Sequence, residues 1–187
     1  KAKFKHIDTW VFDLDNTLYP PHMRLFDQIE ARMVAYVMNT LSVNRDTADR
    51  LRKEYWHAHG TTLAGLMAEH GIAPEPFMVD VHDIDFSVLS ADPALRDRIS
   101  RLPGRKIIYT NGSAPYAENV IDARGLSGLF DAIYGVEHAN YRPKPEASAF
   151  QRVFALDGLN SRAAAMFEDE GRNLEVPHAM GLQTIHV

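Results

Sequence analysis

The stretch Trp10-Val11-Phe12-Asp13-Leu14-Asp15-Asn16-Thr17-Leu18-Tyr19-Pro20 runs an apolar strand straight into two carboxylates, an amide and a hydroxyl. A buried strand ordinarily ends in turn chemistry, so an acidic pair at that point marks a candidate site. Asp13 and Asp15 stand two apart in an extended or just-turning backbone, which can aim both side chains at one point beyond the strand's carboxyl end. Open α/β sheets bind their ligands there. Two like charges so close raise one pKa unless a cation joins them, which implies either a hard metal or a shared proton. The alternative is a capping turn, because Asp and Asn after a strand also begin helices.

Outward from that stretch, the apolar run over residues 7–12 lacks alternation and reads as a strand buried on both faces. Residues 23–100 read as helical, with Leu25, Ile29, Met33 and Val37, then Leu51 and Tyr55, then Leu63, Leu66 and Met67 at helix spacing. Gly60 and Gly71 read as helix stops, and Asp92-Pro93 as an N-cap followed by proline at the first helical position. Strands are predicted at 106–109, 132–134, 164–167 and 184–187, and helices at 114–124, 146–156 and 172–180. Pro177 should kink or shorten the last of these. Strands alternating with helices predict an α/β fold, a parallel sheet with right-handed crossovers. The helical insert interrupts it after the first strand, dividing the chain into a core domain of residues 1–17 and 93–187 and an insert of 18–92. The chain stops at its last strand, which leaves open a further covering helix.

With 187 residues and 45% hydrophobic content the chain can bury a real core. A net charge of -5 gives no basic field for a nucleic-acid polymer and no polybasic membrane patch, so an anionic ligand needs a local cation or a metal. No apolar run is long enough to span a bilayer and no secretory signal is evident, so a cytoplasmic location is expected, although the first residue is Lys1. The absence of cysteine excludes disulfides, thiolate metal sites and a cysteine nucleophile. The oligomeric state is left open.

Three further segments carry candidate chemistry. Tyr109-Thr110-Asn111-Gly112-Ser113 ends the second strand with a hydroxyl, an amide and a glycine before a helix whose N-terminus favours anions, although the same residues also suit a plain turn. Tyr141-Arg142-Pro143-Lys144-Pro145 sets one lysine between two prolines, which suits a point-charge phosphate contact, the alternative being a solvated loop lysine. Phe167-Glu168-Asp169-Glu170-Gly171 places acids at another strand's end, where they could complete an oxygen-rich Mg²⁺ site or favour a helix dipole. His57-x-His59 lacks a third ligand nearby and reads as helix surface. Trp56, Tyr55, Leu63 and Met67 read as filling the insert's own core.

Taken together, Asp13-Leu14-Asp15-Asn16-Thr17, Thr110-Asn111, Lys144 and Glu168-Asp169 resemble the haloacid dehalogenase superfamily of phosphohydrolases over nearly the whole chain. The resemblance implies a Rossmann-like three-layer parallel sheet with a small helical cap. It implies Asp13 as the nucleophile that forms an aspartyl-phosphate and Asp15 as acid and base. It implies Mg²⁺ on Asp13, the Asp15 carbonyl and Asp169, with Glu168 behind the metal, and phosphate held by Thr110, Lys144 and the backbone amides around Leu14 and Asn111. Glu168-Asp169-Glu170 departs from the Asp-Asp of many relatives, which leaves open which acid meets the metal. The second acid, Asp15, favours phosphoester hydrolysis over dehalogenation, because an alkoxide needs a proton and a halide does not. Asn16-Thr17-Leu18-Tyr19, the stretch 55–67, Val81-His82-Asp83 and Tyr141-Arg142-Pro143-Lys144 look like the branch containing pyrimidine 5′-nucleotidases, with His57, Gly60, Thr61 and Thr62 as substrate-reading candidates. The expected substrate is a small phosphorylated metabolite, a pyrimidine nucleoside 5′-monophosphate. The alternatives are a sugar phosphomutase, a phosphatase of sugars or other small metabolites, and a catalytically silent phosphate-binding protein.

Overall fold

A computed structural model describes residues 4–187. Five strands, β1 (Thr9–Phe12), β2 (Arg105–Tyr109), β3 (Ala132–Tyr134), β4 (Ala164–Glu168) and β5 (Gln183–His186), form one parallel sheet in the order β3-β2-β1-β4-β5. All four residues of β1 are buried, as a central strand covered on both faces requires. Its neighbours are β2 on one side and β4 on the other, so the strand order reverses at β1. This reversal opens a crevice beyond the carboxyl ends of the strands. Phe12 is level with Ile108 and with Phe167, so the residues that follow these three positions emerge at one edge of the sheet.

Helices α5 (Pro93–Ser100), α6 (Ala114–Ala123), α7 (Ala147–Asp157) and α8 (Glu175–Ala179) accompany the sheet in the Rossmann-like three-layer arrangement. Val11, Ile107, Tyr109, Met166, Phe150 and Phe154 are among the buried residues of one continuous apolar cluster. Phe12 stacks on Phe167 with ring centroids 4.9 Å apart. The predicted helix over 172–180 is instead a 3-10 turn, Gly171–Leu174, followed by the short α8. Pro177 is the third residue of α8, where its missing N–H leaves no helical bond unmade.

The remaining helices are α1 (Leu25–Leu41), α2 (Arg45–His59), α3 (Thr62–His70) and α4 (Pro74–Val81). They bury Leu25, Ile29, Val34 and Val37, with Tyr55, Leu63 and Leu66. Val34 thus takes the inward place expected of Met33. Trp56, expected in that core, is 37% exposed, because Tyr55 beside it is turned inward and the next residue lies about 100° round the helix. α2 and α3 meet at Gly65, where an added Cβ would lie 2.3 Å from the Cβ of Tyr55.

The chain divides into two compact units, one of residues up to Met23 with Leu89–Val187, the other Arg24–Val88. These boundaries lie a few residues inside the 17/18 and 92/93 expected from the sequence. Leu18, Tyr19 and Leu89 are buried, and the Arg124 guanidinium, 2% exposed, donates to the carbonyls of Leu18 and Ser90, which keeps these flanks with the sheet. Among the described residues no helix is long and apolar enough to cross a membrane.

Candidate active site

At the end of β1 the Asp13 N–H donates to the Phe167 carbonyl at 2.9 Å, and the chain then turns. The N–H groups of Thr17 and Leu18 reach back to the Leu14 carbonyl at 3.3 and 2.9 Å. Asn16 adopts the left-handed conformation with φ 57°, which asparagine tolerates better than most residues. Leu14 is wholly buried, and among the described residues its N–H meets no protein acceptor. A buried donor left over in this way suits an anion.

Asp13 is 5% exposed and is held at both oxygens. Lys144 Nζ donates to Oδ1 at 2.7 Å, and Thr17 Oγ1 donates to Oδ2 at 3.0 Å. Lys144, on the loop that follows β3, is 1% exposed and also donates to Glu168 Oε2 at 2.6 Å and to the Tyr109 carbonyl at 3.1 Å. These three acceptors use all three ammonium hydrogens. Asn111 holds the lysine's backbone, donating to the Lys144 carbonyl at 3.1 Å and accepting from its N–H at 2.7 Å. Thr110 is wholly buried, and its hydroxyl accepts from the Gly112 N–H at 2.9 Å. Asp15 takes other partners, its Oδ1 accepting from Tyr19 and Tyr116 at 2.6 Å each.

Asp13, Glu168 and Asp169 each bring a carboxylate oxygen within 4.8 Å of the others. Three carboxylates facing one ammonium leave two negative charges unbalanced. Burial pushes the Asp13 carboxyl up to about 8 against the pull of Lys144. Burial, with a hydrogen bond to Glu168 and the charge on it, raises Asp169 to about 6. Asp15 is also raised by burial, while the two phenol hydrogen bonds pull it back. For Lys144, burial works to lower the pKa, but Asp13 and Glu168 together outweigh it and the net shift is upward. A divalent cation would supply the charge this cluster lacks, and carboxylate oxygens are the hard ligands that Mg²⁺ takes. The donor set fits that ion.

The sequence pattern of the haloacid dehalogenase-like hydrolases matches residues 7–181. The chain belongs to this family. It is 26% identical over 197 residues to Phosphate metabolism protein 8 of Saccharomyces cerevisiae, a match covering 94% of this chain and 60% of that protein, so it spans under two thirds of that relative's length. The magnesium-bound structure of YfnB from Bacillus subtilis superposes with a TM-score of 0.60 at 17% identity, covering 98% of this chain and 87% of YfnB. The L-2-haloacid dehalogenase of Xanthobacter autotrophicus, with chloropropionic acid covalently bound, gives 0.56 at 18% identity, covering 97% and 77%. At such identities these two share the fold.

In this haloacid dehalogenase-like hydrolase, Asp13, Asp15, Thr110, Asn111, Lys144, Glu168 and Asp169 come to the sheet edge from β1, β2, β4 and the loop after β3. His57, Gly60, Thr61 and Thr62 form the α2–α3 corner of the helical unit. His57 is exposed on the last turn of α2, and Gly60 ends that helix with φ 88°. Thr61 caps α3 by accepting from the Ala64 N–H at 3.1 Å, and buried Thr62 donates to the Arg52 carbonyl at 3.4 Å. Sequence reasoning missed Tyr19 and Tyr116 as partners of Asp15, and Asn111 as the clamp on Lys144. Tyr19, four residues beyond Asp15 in a turn, was within reach of a local reading. Tyr116 lies 101 residues from Asp15 and carried no such signal.

Proposed function

We propose that this chain is a Mg²⁺-dependent phosphomonoester hydrolase that works through an aspartyl-phosphate on Asp13, with a pyrimidine nucleoside 5′-monophosphate as its substrate. The observation that carries this reading is the division of labour between the two acids. Asp13 is fixed by Lys144 and Thr17, whereas Asp15 is fixed by two phenols. A pure phosphate binder has no use for a second acid held apart from the first.

The Asp13 carboxylate attacks phosphorus, an oxygen–phosphorus bond to Asp13 forms, and the bond to the leaving oxygen breaks while Asp15 gives that oxygen its proton. Water then attacks the same phosphorus, Asp15 takes the water's proton, and Asp13 leaves as a carboxylate. Lys144 holds Asp13 in place and offsets charge during both transfers. The amides of Leu14 and Asn111, with Thr110, bind phosphate oxygens. Mg²⁺ held by Asp13, the Asp15 carbonyl and Asp169, with Glu168 behind it, would neutralise the approaching phosphate dianion. Substrate discrimination is assigned to the α2–α3 corner, with His57, Gly60, Thr61 and Thr62, on the strength of the likeness to the pyrimidine 5′-nucleotidase branch.

Phosphate release is to be measured over UMP, CMP, purine monophosphates and sugar phosphates with Mg²⁺. Asp13→Asn should lose at least about a thousandfold, and chelation should abolish activity that Mg²⁺ restores. Wild type and Asp13→Asn equally inert on every phosphoester would end the proposal, and an isomerised sugar phosphate as product would replace it with a phosphomutase.

A further inference from the structure

Asp15 Oδ1 accepts two phenol hydrogens at 2.6 Å, and the phenol oxygens of Tyr19 and Tyr116 stand 3.4 Å apart. Each phenol meets the Asp15 carboxylate at Oδ1. Both tyrosines are 1% exposed. Tyr19 lies in the turn after β1, and Tyr116 lies in the first turn of α6, its N–H capped by the Ser113 hydroxyl at 3.3 Å. Gly112 makes room for the second ring, since a Cβ there would lie 2.8 Å from Tyr116 Cδ1 and 3.2 Å from Cε1.

We propose that Tyr19 and Tyr116 are paired positioning residues for Asp15, locking Oδ1 so that Oδ2 is the oxygen that passes the proton to the leaving group and takes it back from water. The proposal rests on the acid and base role assigned to Asp15 above. General acid catalysis needs the proton within hydrogen-bond reach of the leaving oxygen, and an unanchored aspartate rotates about two torsions. Two bonds to one charged oxygen, from elements on different parts of the chain, hold both torsions. They also occupy the lone pairs of Oδ1, which leaves the proton to be carried on Oδ2. The tyrosines act through Asp15 and touch no reacting atom.

The test compares Tyr19→Phe and Tyr116→Phe with wild type on two phosphoesters. UMP leaves as an alkoxide that must be protonated, whereas p-nitrophenyl phosphate leaves as a stable phenolate. kcat/KM reports the steps through phosphoryl transfer to Asp13, so the leaving group's need for a proton is isolated. Each variant should lose about tenfold on UMP and no more than about threefold on p-nitrophenyl phosphate, and Gly112→Ala should behave as Tyr116→Phe does. Equal losses on both substrates, or an undiminished rate on UMP, would overturn the proposal. A crystal structure of the double variant gives a readout without turnover: the Asp15 carboxylate should leave its wild-type orientation, and an unchanged orientation also overturns the proposal. If wild type hydrolyses no phosphoester, the reading of the function fails by itself, and the orientation of Asp15 still judges the pair.

Discussion

Lys144 is a charge sealed among carboxylates, and what it does for stability follows from the groups around it. It is 1% exposed, with Asp13 at 2.7 Å and Glu168 at 2.6 Å. Lys144→Met leaves two buried acids with no counter-charge, and the expected loss is about 3–5 kcal/mol in urea unfolding. Lys144→Arg should not restore activity, because a planar fork cannot put its hydrogens where three converging acceptors want them. Wild-type stability in Lys144→Met would remove the residue from its structural role. At this scale much of the site was legible. Asp13, Asp15, Lys144 and the acids after β4 stood out because acids at strand ends and a lysine between prolines are locally odd. The carboxamide of Asn111 clamping Lys144 was not legible, since that contact joins residues 33 apart and depends on two loops meeting.

The helical unit shows what element-level patterning settles and what it leaves to packing. Helix spacing located α1 to α3, but which flank of α2 turns inward is decided by the close approach of Gly65 to Tyr55, and Trp56 is left outside. His82, at the end of α4, illustrates a consequence for pH. Burial pushes its imidazole down to about 4, from an ordinary 6.5. The folded form therefore resists protonation while the unfolded chain accepts it. The contribution of His82 to stability is full above about pH 6.5 and is lost as pH drops towards 4, by up to about 3 kcal/mol. Urea unfolding at pH 7.5, 6.5, 5.5 and 4.5 should show wild type losing stability relative to His82→Gln as the pH falls, the common contribution of the raised Asp13 and Asp169 carboxyls cancelling in the difference. Superimposed profiles would sink the assignment.

Across the whole molecule, the crevice beyond β1 exists because the strand order reverses there, and the register of β1 with both neighbours sets the acids level with one another. Arg124 secures the same unit from the opposite direction in sequence. Its guanidinium gathers Leu18, Ser90 and Asp92, the segments on either side of the helical unit, with the Asp92 carboxylate at 2.9 Å. Arg124→Met strands the buried Leu18 carbonyl and removes the partly buried bonds to the Ser90 carbonyl and the Asp92 carboxylate, so a loss of about 2–3 kcal/mol is expected, with faster proteolytic cleavage near residues 18–23 and 89–92. A variant as stable and as protease-resistant as wild type would show these bonds to be dispensable.

By itself the sequence determined the α/β class, the parallel sheet, the helical insert and the acids, threonine and lysine that line the site. Each of these is written in periodicity or in a run of a few residues, and local physics can read such runs. Only the tertiary structure decided that Asp15 is held by Tyr19 and Tyr116, that Asn111 aims Lys144, and that the flanks of the insert stay with the sheet through Arg124. Those are contacts between residues distant in the chain, and no local pattern encodes them, because their geometry exists only once the strands have closed into register.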